Sequence, residues 1–270
     1  LEFLPIKTSS PCGDLISYLP GIRQLWLDRG QQAVIYQRIG MPGSGYPGAI
    51  HPFQDTYGQD ICFTDELFDL MKPLLMAQEY VMDYKKFEGQ HAEIDMDKIR
   101  MEIYTNQPKG SLNRWPFYAF PQMTTDLSVK WLDCFFDTPI LLKNKIVLNF
   151  TQRYRNHIIT YFFLKKYEPD LIFVGLPHEH DIFCKQWNLN IHYQKVKDFL
   201  ELAEIIASCK LFCGNQSMAY QIAEGLKVPR ILELFPMMPN VVPQGPNAYD
   251  FYHQTPLEYF FEKLTNEENK

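Results

Sequence analysis

Phe212-Cys-Gly-Asn-Gln-Ser-Met-Ala-Tyr-Gln-Ile-Ala-Glu-Gly-Leu-Lys-Val-Pro229, continuing into Arg230-Ile-Leu-Glu-Leu-Phe235, is the stretch that decides the fold. It reads as a short strand, a small polar turn, one helix and a second strand. Val228-Pro229 marks the helix exit, because proline cannot continue a helix and biases the residue before it toward extended backbone. Arg230–Phe235 is then an apolar-rich run of strand length. A polar turn entering a helix presents free backbone N–H groups and the positive end of the helix dipole, an arrangement that cradles phosphate.

Working outward, the same alternation recurs upstream. Ile146–Phe150, Leu171–Val174 and Leu211–Cys213 read as strands. His157–Lys166, Glu179–Trp187, Val196–Ser208 and Ser217–Leu226 read as helices, with Pro256–Leu264 as a terminal one. Strand and helix alternating at this spacing predict an α/β fold with a parallel sheet covered on both faces. The N-terminal half starts the same way, with a strand at Phe3–Ser9, a helix at Asp14–Asp28 and a strand at Gln32–Arg38. Met41–Gly48 is a Gly/Pro-rich loop, and short strands at Gly58–Phe63 and Glu79–Tyr84 flank a helix at Thr64–Met76. Gln107–Thr125 is expected to be irregular and Ser128–Cys134 a last helical turn. Residues 139–145 form a linker, which divides the chain into domains 1–140 and 141–270.

Composition narrows the class. A net charge of −6 argues against general binding to a nucleic-acid backbone, which calls for clustered Lys and Arg. No apolar run approaches the roughly 18 residues of a membrane span. The six cysteines form no C-x-x-C pair, and a chain of this length needs no disulfide staples, so a reducing cytoplasm is expected.

The polar residues gather after strands, where ligands bind in open α/β sheets. Asp14 follows the first strand, the place for a working carboxylate or for a helix cap. Thr151, Arg153 and Arg155 follow Ile146–Phe150, and two arginines one residue apart can offer planar charged forks to a diphosphate. Glu179 follows Leu171–Val174, where a carboxylate can accept from ribose hydroxyls or simply favour a helix start. Asn215, Gln216 and Ser217 form the polar turn itself. Arg114 and Trp115, with Trp131, are candidates for stacking on and pairing with an acceptor, or for filling a core. Asp95-Met-Asp97 is a weak match to the D-x-D of a metal site, and Glu93–Arg100 reads instead as a capped helix start with Lys98 and Arg100 one turn on. His178, His180 and Cys184 supply only three potential zinc ligands, without a structural pattern.

Several of these segments resemble one family. Gly13-Asp14-Leu15-Ile16 followed by Leu19-Pro20-Gly21-Ile22-Arg23, then Gly175-Leu-Pro177-His178-Glu179, the turn Gly214–Ser217, and the loop Pro239–Asn247 are similar to the bacterial lipopolysaccharide heptosyltransferases, which transfer heptose from ADP-heptose and have the GT-B architecture. The resemblance implies two Rossmann-like domains with parallel sheets facing a central cleft. It implies metal-independent transfer of a sugar from a nucleotide-diphosphate sugar to an acceptor hydroxyl on a glycan or other molecule, with no cofactor beyond the donor. Asp14, beside Gly13, would then be the general base. Thr151, Arg153, Arg155 and Ser217 would hold the diphosphate and Glu179 the ribose, with Asn215, Gln216 and Gln221 completing the donor site. Arg114 and Trp115 would lie on the acceptor side. The chain departs from the family at Gln216, where an Asp is usual, and at Met218, where a Gly is usual. Gln221 or Tyr220 stands near a family His, and arginine stands for a phosphate-binding Lys. The missing acid leaves open a non-catalytic nucleotide-sugar-binding protein, and the architecture leaves open another enzyme such as a nucleotide-sugar epimerase.

Overall fold

The computed structural model describes residues 2–42, 60–106, 110–134 and 142–266. The chain divides into two compact units: Leu1–Leu127 with Trp131–Asp133 and Asp198–Leu200, and Ser128–Lys130 with Cys134–Lys197 and Glu201–Lys270. Each is built on a parallel sheet.

In the first unit, β1 (Leu4–Thr8), β2 (Ala33–Gln37), β3 (Val81–Lys86) and β4 (Ile94–Asp95) lie in the order β3-β2-β1-β4. Helix α1 (Cys12–Arg29) returns the chain from β1 to β2 and stops at Gly30, whose φ of 68° suits glycine. Gly21 in mid-helix has a packing reason, since a Cβ there would lie 2.8 Å from Met123 Cβ. Helix α2 (Asp65–Met76) is started by Thr64, whose hydroxyl accepts from Leu67 N–H at 3.1 Å. Helices α3 (Asp97–Asn106) and α4 (Trp115–Ala119) follow β4.

In the second unit, β5 (Ile146–Asn149), β6 (Leu171–Phe173), β7 (His192–Tyr193), β8 (Leu211–Asn215), β9 (Arg230–Glu233) and β10 (Ala248–Phe251) are all parallel, in the order β10-β9-β8-β5-β6-β7. Numbered from β5 and read from the β7 edge, this is the Rossmann order 3-2-1-4-5-6. Strands β5, β6, β8 and β9 are buried throughout, whereas the edges β7 and β10 are partly exposed. That is why the central strands read as mainly apolar runs, with polar residues at their ends. Helices α5 (Pro177–Trp187), α6 (Phe199–Ala207), α7 (Met218–Leu226) and α8 (Gln254–Asn266) complete the alternation. Under α5 and α8, Phe150 stacks on Phe183 with ring centroids 4.7 Å apart, and Tyr161, Trp187 and Phe261 extend the cluster. Burying one such phenylalanine contributes about 1.5–3 kcal/mol.

Several expectations are corrected. Residues 157–166 form no α-helix; turns lead into a tight 3-10 segment at Phe162–Asp170. Asn156 Nδ2 donates to Tyr252 O at 2.8 Å and Thr160 N to Gln254 Oε1 at 2.9 Å, so this stretch is tied to the chain around β10 and α8. Residues 128–134 are turn, bend and irregular chain, and residues 60–63 form no strand, with Ile61 bridging to Pro42. Strands β4, β7 and β10 escape a reading by pattern, because they are short and lie at the sheet edges. The Gly/Pro-rich residues 43–48, positions 58–59 and 107–109, and the linker residues 139–141 lie outside the described residues. Among the described residues, no helix is long and apolar enough to cross a membrane.

Candidate functional site

Strand order reverses between β5 and β8, so the carboxyl ends of these two strands open the crevice where a Rossmann sheet takes its ligand. Asn149, the last residue of β5, is the hub. Its Nδ2 donates to Val174 O at 2.7 Å, and its Oδ1 accepts from Ser217 Oγ at 2.7 Å. Ser217 is also the N-cap of α7, accepting from Tyr220 N–H at 3.2 Å. Gly175, at φ 136°, makes room for the hub, because a Cβ there would stand 2.8 Å from Asn149 Nδ2.

Asn215 closes β8 and is fully buried. Its Oδ1 accepts from Thr151 N–H at 3.0 Å, while its Nδ2 donates to Thr151 O at 3.2 Å and to Arg153 O. One side chain therefore moulds the loop Thr151–Tyr154 through backbone groups. Gln216 clips the other wall. Its Oε1 accepts from Phe235 N–H at 2.7 Å, and its Nε2 donates to Met238 O at 3.0 Å and Asn240 Oδ1 at 2.8 Å. Where the family carries an acid, this chain has an amide engaged at both ends. Gln221, in the second turn of α7, is 2% exposed, and its Oε1 has no partner among the described residues.

The two arginines part company. Arg155 Nε donates to Glu233 Oε1 at 3.0 Å, and its guanidinium lies over the Phe150 ring at 5.0 Å. Glu233, fully buried at the end of β9, also accepts from Asn156 N–H and from Tyr161 Oη. Arg155 is thus the counter-charge of a buried carboxylate, which corrects the expectation of two forks turned to a diphosphate. Arg153, by contrast, lies over the Tyr154 ring at 5.8 Å and makes no ion pair among the described residues. The left-handed backbone of Tyr154, φ 54°, separates these two fates.

Glu179 is 7% exposed and belongs to the capping box of α5, its Oε2 accepting from Leu176 N–H at 3.2 Å. Burial pushes its carboxyl above the ordinary value, against the pull of the Leu176 and Gln152 N–H groups, His178 and Arg153. His180 Nε2 lies 2.8 Å from Ile191 O, and its ring packs 5.5 Å from Phe173. Among the described residues, no group of three or more His, Cys, Asp or Glu side chains is arranged to hold a metal ion.

The first unit has its own reversal point, between β1 and β4. There the D-x-D acids are organisers. Asp95 takes Lys7 Nζ at 2.6 Å, and Asp97 Oδ1 accepts from Ser9 N–H at 2.7 Å and Ser9 Oγ at 2.6 Å. Helix α1 begins at Cys12, so Gly13 and Asp14 sit within its first turn and Asp14 is no N-cap. The Asp14 carboxylate instead pairs with Arg100 of α3, whose guanidinium lies 5.6 Å from the centre of the Trp115 ring. Trp131 is a core residue at 2% exposed, and Trp115 at 8% is also packed rather than open to stacking. Arg114 is exposed.

Sequence reasoning passed over Asn149 and Arg100. A polar residue ending an otherwise apolar strand was the signal for the first; nothing local marks the second.

No protein-family model matches the sequence, and no curated protein sequence matches it. Solved structures do. The ADP-heptose lipopolysaccharide heptosyltransferase II of E. coli superposes with a TM-score of 0.61 at 12% identity, over 99% of this chain and 100% of that one. A glycosyl transferase family 9 protein of Veillonella parvula gives 0.58 at 11% identity, over 100% and 90%. The E. coli heptosyltransferase WaaC, solved with ADP-2-deoxy-2-fluoro heptose, gives 0.55 at 9%, over 96% and 99%. The fold is that of the GT-B-like heptosyltransferases: two parallel α/β sheets carried by one chain.

Proposed function

We propose that the protein is a glycosyltransferase that moves a sugar from a nucleoside-diphosphate sugar to an acceptor hydroxyl. The observation that supports this most is the reversal point of the six-stranded sheet. The loop Thr151–Arg153 and the capped start of α7 flank an amide scaffold there, and Arg153 makes no ion pair among the described residues. As the anomeric C–O bond breaks, its electron pair leaves on the diphosphate. A fixed guanidinium and a helix N-terminus favour that developing charge, so the chemistry is assigned as metal-independent. The acceptor oxygen forms the new bond to the anomeric carbon, and its proton passes to the Asp14 carboxylate. Glu179 is assigned to the ribose, because a carboxylate oxygen already taking one N–H keeps a lone pair for a hydroxyl. Both ends of the Gln216 amide are engaged with the segment Phe235–Asn240, so the donor sugar is read by other groups.

The test is turnover in the presence of EDTA with nucleotide sugars of each base, following release of nucleoside diphosphate. ADP-sugars come first, because two of the proteins of like fold are named for or solved with ADP-heptose donors. The proposal expects release that depends on an acceptor and disappears in Asp14→Asn, with nucleotide affinity retained. Tight binding of a donor with no turnover would favour the binding protein, and an altered free nucleotide sugar the epimerase.

A further inference from the structure

We infer that Arg100 is a positioning residue for Asp14, fixing the carboxylate in the aim it needs to take a proton. The inference rests on the transferase reading and on the geometry of three helix starts. Asp14 stands in the first turn of α1, after Pro11, and makes no capping bond to the helix backbone. Its side chain is 14% exposed. Among the described residues, Arg100 Nη2 holds its Oδ2, and Oδ1 makes no hydrogen bond. One carboxylate oxygen is therefore pinned and the other is left for an acceptor hydroxyl.

Arg100 is itself steadied. It sits in the first turns of α3 with its guanidinium over Trp115, which opens α4 and is 8% exposed. A guanidinium stacked on an aromatic ring keeps its fork direction, which a lysine in its place could not reproduce. The pair contributes little to folding, because Arg100 is 34% exposed and ion pairs at such exposure are weak. The neighbouring charges are matched separately: Lys7 serves Asp95, and Arg38 lies 3.7 Å from Asp97. What the Asp14–Arg100–Trp115 arrangement does is restrict rotation of the Asp14 side chain. A base oriented by a third group is the recurring device of proton-transfer sites.

The experiment is steady-state transfer by the full chain, using the donor that the turnover test identifies. Parent, Arg100→Ala, Asp14→Asn and the double variant are compared, with Arg100→Lys as the variant that preserves charge should the alanine form melt early. If Arg100 acts by aiming Asp14, Arg100→Ala lowers kcat about 10- to 100-fold and leaves the donor KM unchanged. The double variant is then no slower than Asp14→Asn alone, since residues acting as one unit are not additive. Added guanidinium ion restores part of the rate to Arg100→Ala and none to the double variant. Additive losses in the double variant, or an Arg100→Ala enzyme as fast as the parent, would overturn the inference while leaving the transferase reading intact. Absence of transfer by the parent with every donor would remove that reading, and this inference with it.

Discussion

The two sheets treat the point where strand order reverses in opposite ways. In the second unit, neutral amides line the crevice: Asn149, Asn215 and Gln216 satisfy its backbone groups, and the strong charges turn inward as Arg155–Glu233 and Arg230–Glu224. In the first unit the reversal point is ionic, with Lys7, Arg38, Asp95 and Asp97 paired among themselves and Asp14 paired with Arg100. On the proposed reading, the difference follows from the group each place would bind. A cradle for a diphosphate works best when its scaffold is largely neutral and it offers a cation, and Arg153 makes no ion pair among the described residues. A place for proton transfer would call for a carboxylate, and in the first unit Arg100 holds that of Asp14.

That contrast can be broken, beginning with the largest effect. Arg155→Ala strands Glu233 in the core and should cost about 3–5 kcal/mol by chemical denaturation, the penalty for an uncompensated buried charge. A loss below about 1 kcal/mol would mean that the pair is solvated, as surface pairs are. Asn215→Ala removes the clamp on the loop Thr151–Tyr154 and should cost about 1–3 kcal/mol, with nucleotide affinity falling in parallel. Glu179 sharpens the contrast through pH. Burial raises its folded-state value, so the folded form holds its proton longer than the unfolded form does. Stability should therefore fall as pH rises from the ordinary carboxylate value of about 4.3 through the raised one, and level off above it. Glu179→Gln keeps the capping box and should lack that fall, which denaturation at a series of pH values would show. The smallest effect belongs to the outer pair Arg29–Glu93, 33% and 43% exposed, where Glu93→Ala should change stability by less than about 0.5 kcal/mol.

What could be read from the sequence divides along the same physical line. Strands β5, β6, β8 and β9 are buried on both faces and announce themselves as apolar runs between polar turns, so the alternation of the second unit was legible. So was the turn that opens α7, because its cap is local. Arg153 and Arg155 look alike in sequence. Their separation depends on the left-handed Tyr154 and on a carboxylate 78 residues away. Arg100 meets Asp14 across 86 residues, and no local pattern carries that contact. The expected helix at His157–Lys166 failed for a related reason: Asn156 and Thr160 take partners near β10 and α8, and these outweigh local propensity.

The most direct test of the central claim is nucleotide-induced thermal stabilisation, with ADP, GDP, UDP, CDP and dTDP each added to the parent, Arg153→Ala and Asp14→Asn. A nucleoside diphosphate bound at the reversal point of the six-stranded sheet should add about 2.7 kcal/mol at 100 times its Kd. The shift should vanish or shrink strongly in Arg153→Ala and persist in Asp14→Asn. No shift with any of the five, or one that survives Arg153→Ala unchanged, would contradict the donor site.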